Sequence, residues 1–549
     1  MVNVLIRRKE MKRKVKKCVT LLLILLLALG TIGCGAGETQ DEGTTFTMAI
    51  TEKIDTFNPL SAEMQVSYEA LLLLYDPLVR YDENLDPVPC LAERWEISED
   101  ELTWTFFLKE GVKWHDGEPF TAEDVKFTYE LYQKTEAYMY GGYLVGIKEI
   151  TCPDDYTVVI TTEAPKANML MNTSPIVPMH IWKDLEDPYN WENPEPIGTG
   201  PYMYSSEGEG FIKLKKNVDY FLGAAKIDNI VMVVYENSDT AAQALMIGEI
   251  DGACSLSAAQ MVQLEKDSNV DVVMGEVPGF CMMAINMMPS TEKTKGNPLL
   301  RDKVVRQALD YCTDKQNVVD MAYGGAGIAG TTLINPGDQY HYEPGAELRN
   351  YDIEKAKTLL ENAGYTDKNG DGIRENKAGD ALSFDLIAIA ENVEEVKTAQ
   401  IIVAGCKEAG INLSLVTMDS GALSDLAASE QYDLYIWGWG ADIDPSVILK
   451  LFLTEEYFNL NDTGFSNSRY DELFYLQMQE MNEAGRIAMV QEMQQLLYEE
   501  SPYIITLYDS YVQAIRSDRW KGYQQVPFGT GGLFFNLTYN NFMNMEPVN

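Results

Sequence analysis

Two aspartates, Asp442 and Asp444, stand two residues apart in IWGWGADIDP (436–445), beside Trp437, Gly438, Trp439 and Gly440. Carboxylates so placed admit two chemistries. A pair flanking a glycosidic bond could divide acid and base work in hydrolysis. A single carboxylate facing a cationic group could hold it through a charge-assisted hydrogen bond worth about 1.5–3 kcal/mol net. The second demands less, because nothing in the sequence sets a hydrolytic separation or raises one pKa. It makes Asp442 a charge anchor in a binding cleft and leaves Asp444, before Pro445, to fix the loop. Gly438 and Gly440 would let a ligand backbone approach closely. Trp437 and Trp439 are expected to divide, one entering the core and the other facing the cleft.

Other spacings carry less chemistry. DKNGDG (367–372) matches the opening of a calcium loop, with Asp367, Asn369 and Asp371 as its ligands. The twelfth position of such a loop should bring a bidentate carboxylate, but here it is Ala378, with Glu375 the available substitute. A polar turn is the expectation, and no metal is assigned. GGAGIAG (324–330) contains G-x-G-x-x-G, which as a dinucleotide site needs a strand before it and a helix after it. The helical VVRQALDYC precedes and TTLINP follows, so a glycine turn is expected. The three histidines, His115, His180 and His341, lie far apart and outside any hydrolase motif. No cofactor is implied, and no enzyme.

The elements that must position Asp442 are read from periodicity. Apolar runs and helical patterns alternate as strand 382–390, helix 394–410, strand 411–418, helix 421–430 and strand 432–439. Such β-α-β-α-β order predicts a parallel sheet covered by helices. Ligands of open α/β sheets sit at the carboxyl ends of the strands, where residues 440–445 leave theirs. Two amphipathic helices follow, 470–481 and 486–499, the second keeping Ile487, Val490, Met493 and Leu497 on one face. The first half mixes its elements less regularly: a strand at 45–50, the loop DTFNPL, a buried helix from 67 and a strand pair over 102–114. Two lobes are inferred.

The 549 residues are 46% hydrophobic and 23% charged, ordinary for a chain with two or more cores. Residues 1–33 hold eight Lys/Arg and one Glu, then an eleven-residue apolar stretch at 19–29. A bilayer span needs about 20 apolar residues, so the segment reads as a secretory signal peptide. TIGCG (31–35) resembles a bacterial lipobox, with Thr31 where leucine is usual, and makes Cys34 the lipidated first residue of the mature chain. Residues 34–44 suit a solvated tether. Losing residues 1–33 removes those eight positive charges and one negative, and moves the net charge from −41 to −48. That surface repels nucleic acid and anionic lipid. Cys90, Cys152, Cys254, Cys281, Cys312 and Cys406 show no metal or redox spacing and read as buried thiols, with one or two disulfides left open.

LAERWEISEDELTWTFFLKEGVKWHDGEPFTAEDVKFTYE (91–130) resembles the signature region of the family 5 extracellular solute-binding proteins, the dipeptide/oligopeptide-binding group that serves ABC importers. Glu101 stands where glycine is usual. The likeness runs in the family's order through DTFNPL, PIGTGPYMY, GEIDG, VVRQALDYCTDK, YDIEKAKTLLENAGYTDKNGDGIRE, IWGWGADIDP and FSNSRYDEL. It implies an α/β, two-lobe periplasmic-binding-protein-like fold of the large type II class. Lobe I would comprise 45–287 and 507–549, with a small subdomain inserted at about 83–185; lobe II would comprise 288–506. Crossings near 284–288 and 504–507 would form a hinge, and ligand would close the lobes. By the same resemblance Asp442 of WGAD holds a peptide's α-ammonium, and Gly438 and Gly440 pair with the peptide as with an added strand. Thr56, Phe57 and Asn58 would contribute from lobe I. Dipeptide-specific members carry an arginine on the helix after the first lobe II strand. NVEEVKTAQ (392–400) has none, and Lys397 is no bidentate fork. Longer peptides are therefore expected, and abundant tyrosine and tryptophan keep an oligosaccharide open as the alternative. The expected protein is a lipid-anchored monomer on the extracellular or periplasmic face, delivering its ligand to ABC permease subunits.

Overall fold

The computed structural model describes residues 43–135, 140–276, 279–440, 443–527, 529–534 and 539–548. The signal segment and Cys34, with Ala441 and Asp442, lie outside them. Among the described residues no helix is long and apolar enough to cross a membrane.

Alternating side chains build one large mixed sheet of twelve strands. In chain order they are β1 (Thr45–Ile50), β2 (Tyr202–Gly208), β3 (Phe211–Lys216), β4 (Asn229–Val234), β5 (Gly252–Leu256), β6 (Val270–Glu276), β7 (Gly279–Ile285), β8 (Gly327–Ala329), β9 (Ser383–Ile389), β10 (Asn412–Met418), β11 (Leu434–Gly440) and β12 (Tyr503–Arg516). The spatial order is β10-β9-β11-β7-β12-β5-β1-β4-β3-β2, with β6 and β8 also paired to β12. β12 divides this sheet. Its residues 503–509 pair with β7 and β8, and residues 510–516 pair with β5 and β6. Strands β1–β6 lie on one side of this division and β7–β11 on the other. A separate four-stranded antiparallel sheet (Ala92–Ile97, Thr103–Leu108, Thr157–Thr162, Ile147–Asp154) stands apart from the large one.

The predicted alternation in lobe II is present. Helix α1 (Val393–Glu408) links β9 to β10, and α2 (Ser420–Ala428) links β10 to β11. The Asn392 and Asp419 side chains cap the two helices by accepting from Glu395 and Ala422 backbone N–H groups. β9 pairs parallel with both β10 and β11. Side chains of β11 alternate between two cores: Leu434 and Ile436 join one with Phe384 and Ile402, and Tyr435 joins the other with Phe452 and Leu473. Helices α3 (Ser468–Gln479) and α4 (Glu483–Glu500) close that second core with Tyr470, Val490 and Met493. The glycine-rich 324–330 segment is a turn, with Gly324 and Gly325 at φ 64° and 95°, that runs into the short strand β8. Neither flank supplies the strand-then-helix frame of a nucleotide site.

Candidate binding cleft

Near the carboxyl ends of β1 and β5, Ile50 and Ser255 share a cavity with Tyr511 of β12, and near those of β9 and β11, Ile389 and Gly438 share one with Asp509. The first, of about 130 Å³, opens between Ile50, Glu52, Gln65, Ser255 and Tyr511. A bulge in β5 holds Ser255 at φ 56°, a left-handed backbone rare outside glycine and typical of functional walls. The second, of about 390 Å³, lies between Ile389, Glu395, Trp437, Gly438 and Asp509.

β11 supplies an edge to this space. It pairs with β7 along its whole length, from Gly279 opposite Gly440 to Ile285 opposite Leu434. On its other side it pairs with β9 only at Leu434 and Tyr435. Among the described residues, no strand covers the β9 side of residues 436–440. Gly438 and Gly440 are exposed. A Cβ at Gly440 would meet open space, and one at Gly438 would touch only Cys281 Sγ and Phe280 O at 3.6 Å.

The two tryptophans do not divide between core and cleft. Residues two apart on a strand share a face, and Trp437 and Trp439 pack half-buried against the same core. Trp439 donates its Nε1–H to Tyr503 Oη at 3.3 Å, and Tyr503 in turn donates to Asp462 at 2.8 Å. Burial pushes Asp462 up to about 6, although Tyr435 and Tyr503 both hydrogen-bond to it. Trp437 reaches the larger cavity.

The lobe I residues are placed differently from expectation. Asn58 is fully buried, donates to the carbonyls of Pro188 at 2.8 Å and Trp191 at 2.6 Å, and accepts from Leu60 N–H at 2.9 Å. Phe57 is buried edge-on against Tyr204. Thr56 Oγ1 donates to Glu192 O at 3.1 Å. These three fasten the DTFNPL loop from within, and residues 50–52 line the small cavity nearby.

Asp444 is fully buried and cannot be half of a hydrolytic pair. Its Oδ1 takes Arg486 Nη2 at 2.5 Å, Ser446 N–H at 3.1 Å and Ser446 Oγ at 2.9 Å. Its Oδ2 takes Asn168 Nδ2 at 2.5 Å, from 276 positions away in the chain. Beside it Ala167 N–H donates to Met478 O at 2.9 Å. Lys166 is buried nearby, and burial pulls its ammonium down to about 8 despite the attraction of Asp444. Asp444 is thus held both by Asn168 from the first half of the chain and by Arg486 from the second. Asp442 falls outside the described residues.

In DKNGDG the Asp367 carboxylate accepts from Gly370 and Gly372 N–H groups at 2.6 and 3.0 Å, and Asn369 and Asp371 bond each other. Asp367, Asp371 and Glu375 bring one carboxylate oxygen each to within 4.8 Å of the others, so Glu375 is the residue that could complete a cation shell.

Comparison with known proteins decides the family. The sequence model of the bacterial extracellular solute-binding proteins, family 5 (middle), matches residues 86–459. The chain belongs to that family. This solute-binding protein is 26% identical to the oligopeptide-binding protein AppA of Bacillus subtilis over 543 residues, 94% of this chain and 97% of that protein. It is also 26% identical to heme-binding protein A of Haemophilus influenzae over 556 residues, 93% and 98% of the two chains. The solved structure of NikZ from Campylobacter jejuni in complex with Ni(L-His) superposes with a TM-score of 0.76 at 24% identity, covering 91% of this chain and 99% of that one. The fold is therefore the two-lobe fold of periplasmic binding proteins. Proteins of this family bind solutes for transport and are not enzymes.

Sequence reasoning about this solute-binding protein missed the acids of the larger cavity. Glu394 and Glu395 come from the first turn of α1, and Asp509 from β12. Burial pushes Glu395 up to about 7, opposed by the Ile389 N–H and reinforced by Asp509 and Glu391. Burial likewise raises Asp509, against the hydrogen bond from Cys281. The signal lies in NVEEVKTAQ, where two adjacent glutamates open the helix that follows β9.

Proposed function

We propose that this protein captures oligopeptides between its lobes outside the membrane and delivers them to an ABC permease. The observation that carries this reading is the unpaired β9-side edge of β11. An extended peptide can add itself there as a strand, because every peptide offers the same N–H and C=O groups. A sugar has no backbone to pair with such an edge, so the geometry favours peptide over oligosaccharide. The oligopeptide-binding relative in Bacillus subtilis supports the same choice.

In this reading Asp442, two residues past the end of β11, meets the peptide's α-ammonium. Gly438 and Gly440 keep the docking edge clear, and Trp437 and Trp439 pave the floor. Thr56, Phe57 and Asn58 act from behind, by fixing the loop that follows β1. Lobe I comprises 45–287 and 507–549 with its subdomain at about 83–185, lobe II comprises 288–506, and the crossings at 284–288 and 504–507 bend when ligand closes the cleft. Export follows the signal at 1–33, and lipidation of Cys34 with the 34–44 tether holds the monomer at the membrane surface.

The test is mass spectrometry of material co-purifying with the protein, followed by calorimetry with defined peptides on wild type and Asp442→Ala. Peptides of more than two residues should co-purify, and the variant should keep its fold and lose affinity. Cellodextrins binding more tightly than any peptide, with Asp442→Ala unchanged, would replace the reading.

A further inference from the structure

The cavity of about 390 Å³ beside Trp437 has a composition that the peptide reading leaves unused. Its carboxylates come from two elements, Glu394 and Glu395 on α1 and Asp509 on β12. No basic side chain is among the described residues that line it. Glu395, only 6% exposed, has neutral partners: Asn392 Nδ2 at 3.0 Å and Ile389 N–H at 3.3 Å. Asp509 accepts only the weak Sγ–H donor of Cys281 at 3.3 Å, and Cys281 is 7% exposed. Other buried acids of this half differ: Asp444 has Arg486 and Asp310 has Lys315 and Arg349, although Glu430, also buried, has no ion pair among the described residues. The acids of this cavity face an open volume instead.

The cavity adjoins the free strand edge. Gly438 belongs both to its wall and to the unpaired stretch of β11. A side chain leaving a guest docked on that edge therefore has this space beside it. Trp437 and Ile389 are among its lining residues and supply apolar surface for a methylene stem. A carboxylate or phosphate would meet like charge.

We infer that this cavity is a side-chain subsite selecting guests that carry an alkylammonium or guanidinium group, the chemistry of lysine and arginine. This rests on the peptide reading for the docking of the guest, and adds the charge preference. The raised Glu395 acid is consistent with carboxylates held close without a counter-ion.

The experiment titrates the protein, stripped of co-purifying ligand, with alanine pentapeptides carrying one lysine at each position in turn. Matched peptides carry Nε-acetyl-lysine or glutamate, and 1,5-diaminopentane is titrated alone. At one position of the pentapeptide, lysine should bind at least tenfold tighter than acetyl-lysine, and glutamate should bind there more weakly than either. Glu394→Gln/Glu395→Gln should lose that preference while still binding the all-alanine peptide, which shows the variant to be folded. Equal binding of all peptides by wild type overturns the subsite and leaves the peptide reading standing. Binding of the diamine with every peptide silent removes the peptide reading and keeps the cation preference. Silence from peptides and diamine alike overturns both.

Discussion

Replacing Arg486 by methionine tests how the loop after β11 is held. The guanidinium is 3% exposed and lies 2.5 Å from Asp444, which is itself fully buried. It also donates to Gln477 at 2.9 Å, Ser446 at 3.2 Å and Tyr340 at 3.3 Å. Methionine keeps most of the apolar stem and removes every donor. Asp444 would retain Asn168 and the two Ser446 donors, all neutral, and would have lost the one cation bonded to it. Leaving a buried charge uncompensated in this way costs about 3–5 kcal/mol. Neutralising the acid as well should recover much of that, so Asp444→Asn/Arg486→Met should be less destabilised than Arg486→Met alone. The coupling expected for residues in direct contact is about 1–3 kcal/mol. The assay is urea unfolding at pH 7, followed by far-ultraviolet circular dichroism and tryptophan fluorescence, with separate transitions fitted if the lobes unfold apart. A loss below about 1 kcal/mol for Arg486→Met, or strict additivity in the double variant, would refute the claim that this pair holds the loop.

Gly440→Val should leave the unfolding midpoint nearly unchanged, because a Cβ there meets open space and a β-branched residue suits a strand. The same change should weaken peptide binding roughly tenfold or more by crowding the docking edge, a loss of about 1.4 kcal/mol in calorimetry; unaltered affinity would dismiss the edge. Asn168→Ala removes a charge-assisted bond between the two proposed lobes, so small-angle scattering should show a more open unliganded protein, with an unchanged radius of gyration counting against a bridging role. Glu395 has a folded-state pKa raised to about 7, above the unfolded carboxylate, so its proton is bound more tightly when folded. Its unfavourable contribution is therefore absent below about pH 4.5, grows as pH rises, and is complete above about 7. Glu395→Gln should accordingly be more stable than wild type at pH 8 and converge with it near pH 4; the Asp509 and Glu391 carboxylates act in the same sense, and the Ile389 N–H and the Asn392 amide oppose them. The described cysteines are all free, and only Cys152 is less than fully buried, with burial pushing its thiol up to about 11. A chain lacking residues 1–34 should therefore show at most one slowly reacting thiol when native and six when unfolded.

What the sequence made legible follows from the range of each signal. The strand and helix order of lobe II is a local pattern, and β9, α1, β10, α2 and β11 fall within a few residues of the periodicities that predicted them. The site strand could be found because its carboxyl end follows from that order. Partners that arrive from far along the chain could not be read. Asn168 reaches Asp444 across 276 positions, and Asp509 meets Cys281 across 228. The same limit explains Asn58: its type suits a cleft contact, but its amide is fully engaged by carbonyls some 130 residues away. The tryptophan expectation failed for a local reason, since a two-residue spacing on a strand repeats a face instead of changing it.

The fourteen residues of β12 complete both halves of the main sheet, yet they follow all its other strands in the chain. Until they emerge, β7 and β5 have no neighbour between them, and the chain holds two unfinished ribbons whose closing strand lies over 200 residues further along. Pairings of such long range form late and slowly. For a protein whose family works outside the cell, tardy completion is useful: a chain that cannot close its architecture early stays threadable through a narrow export pore.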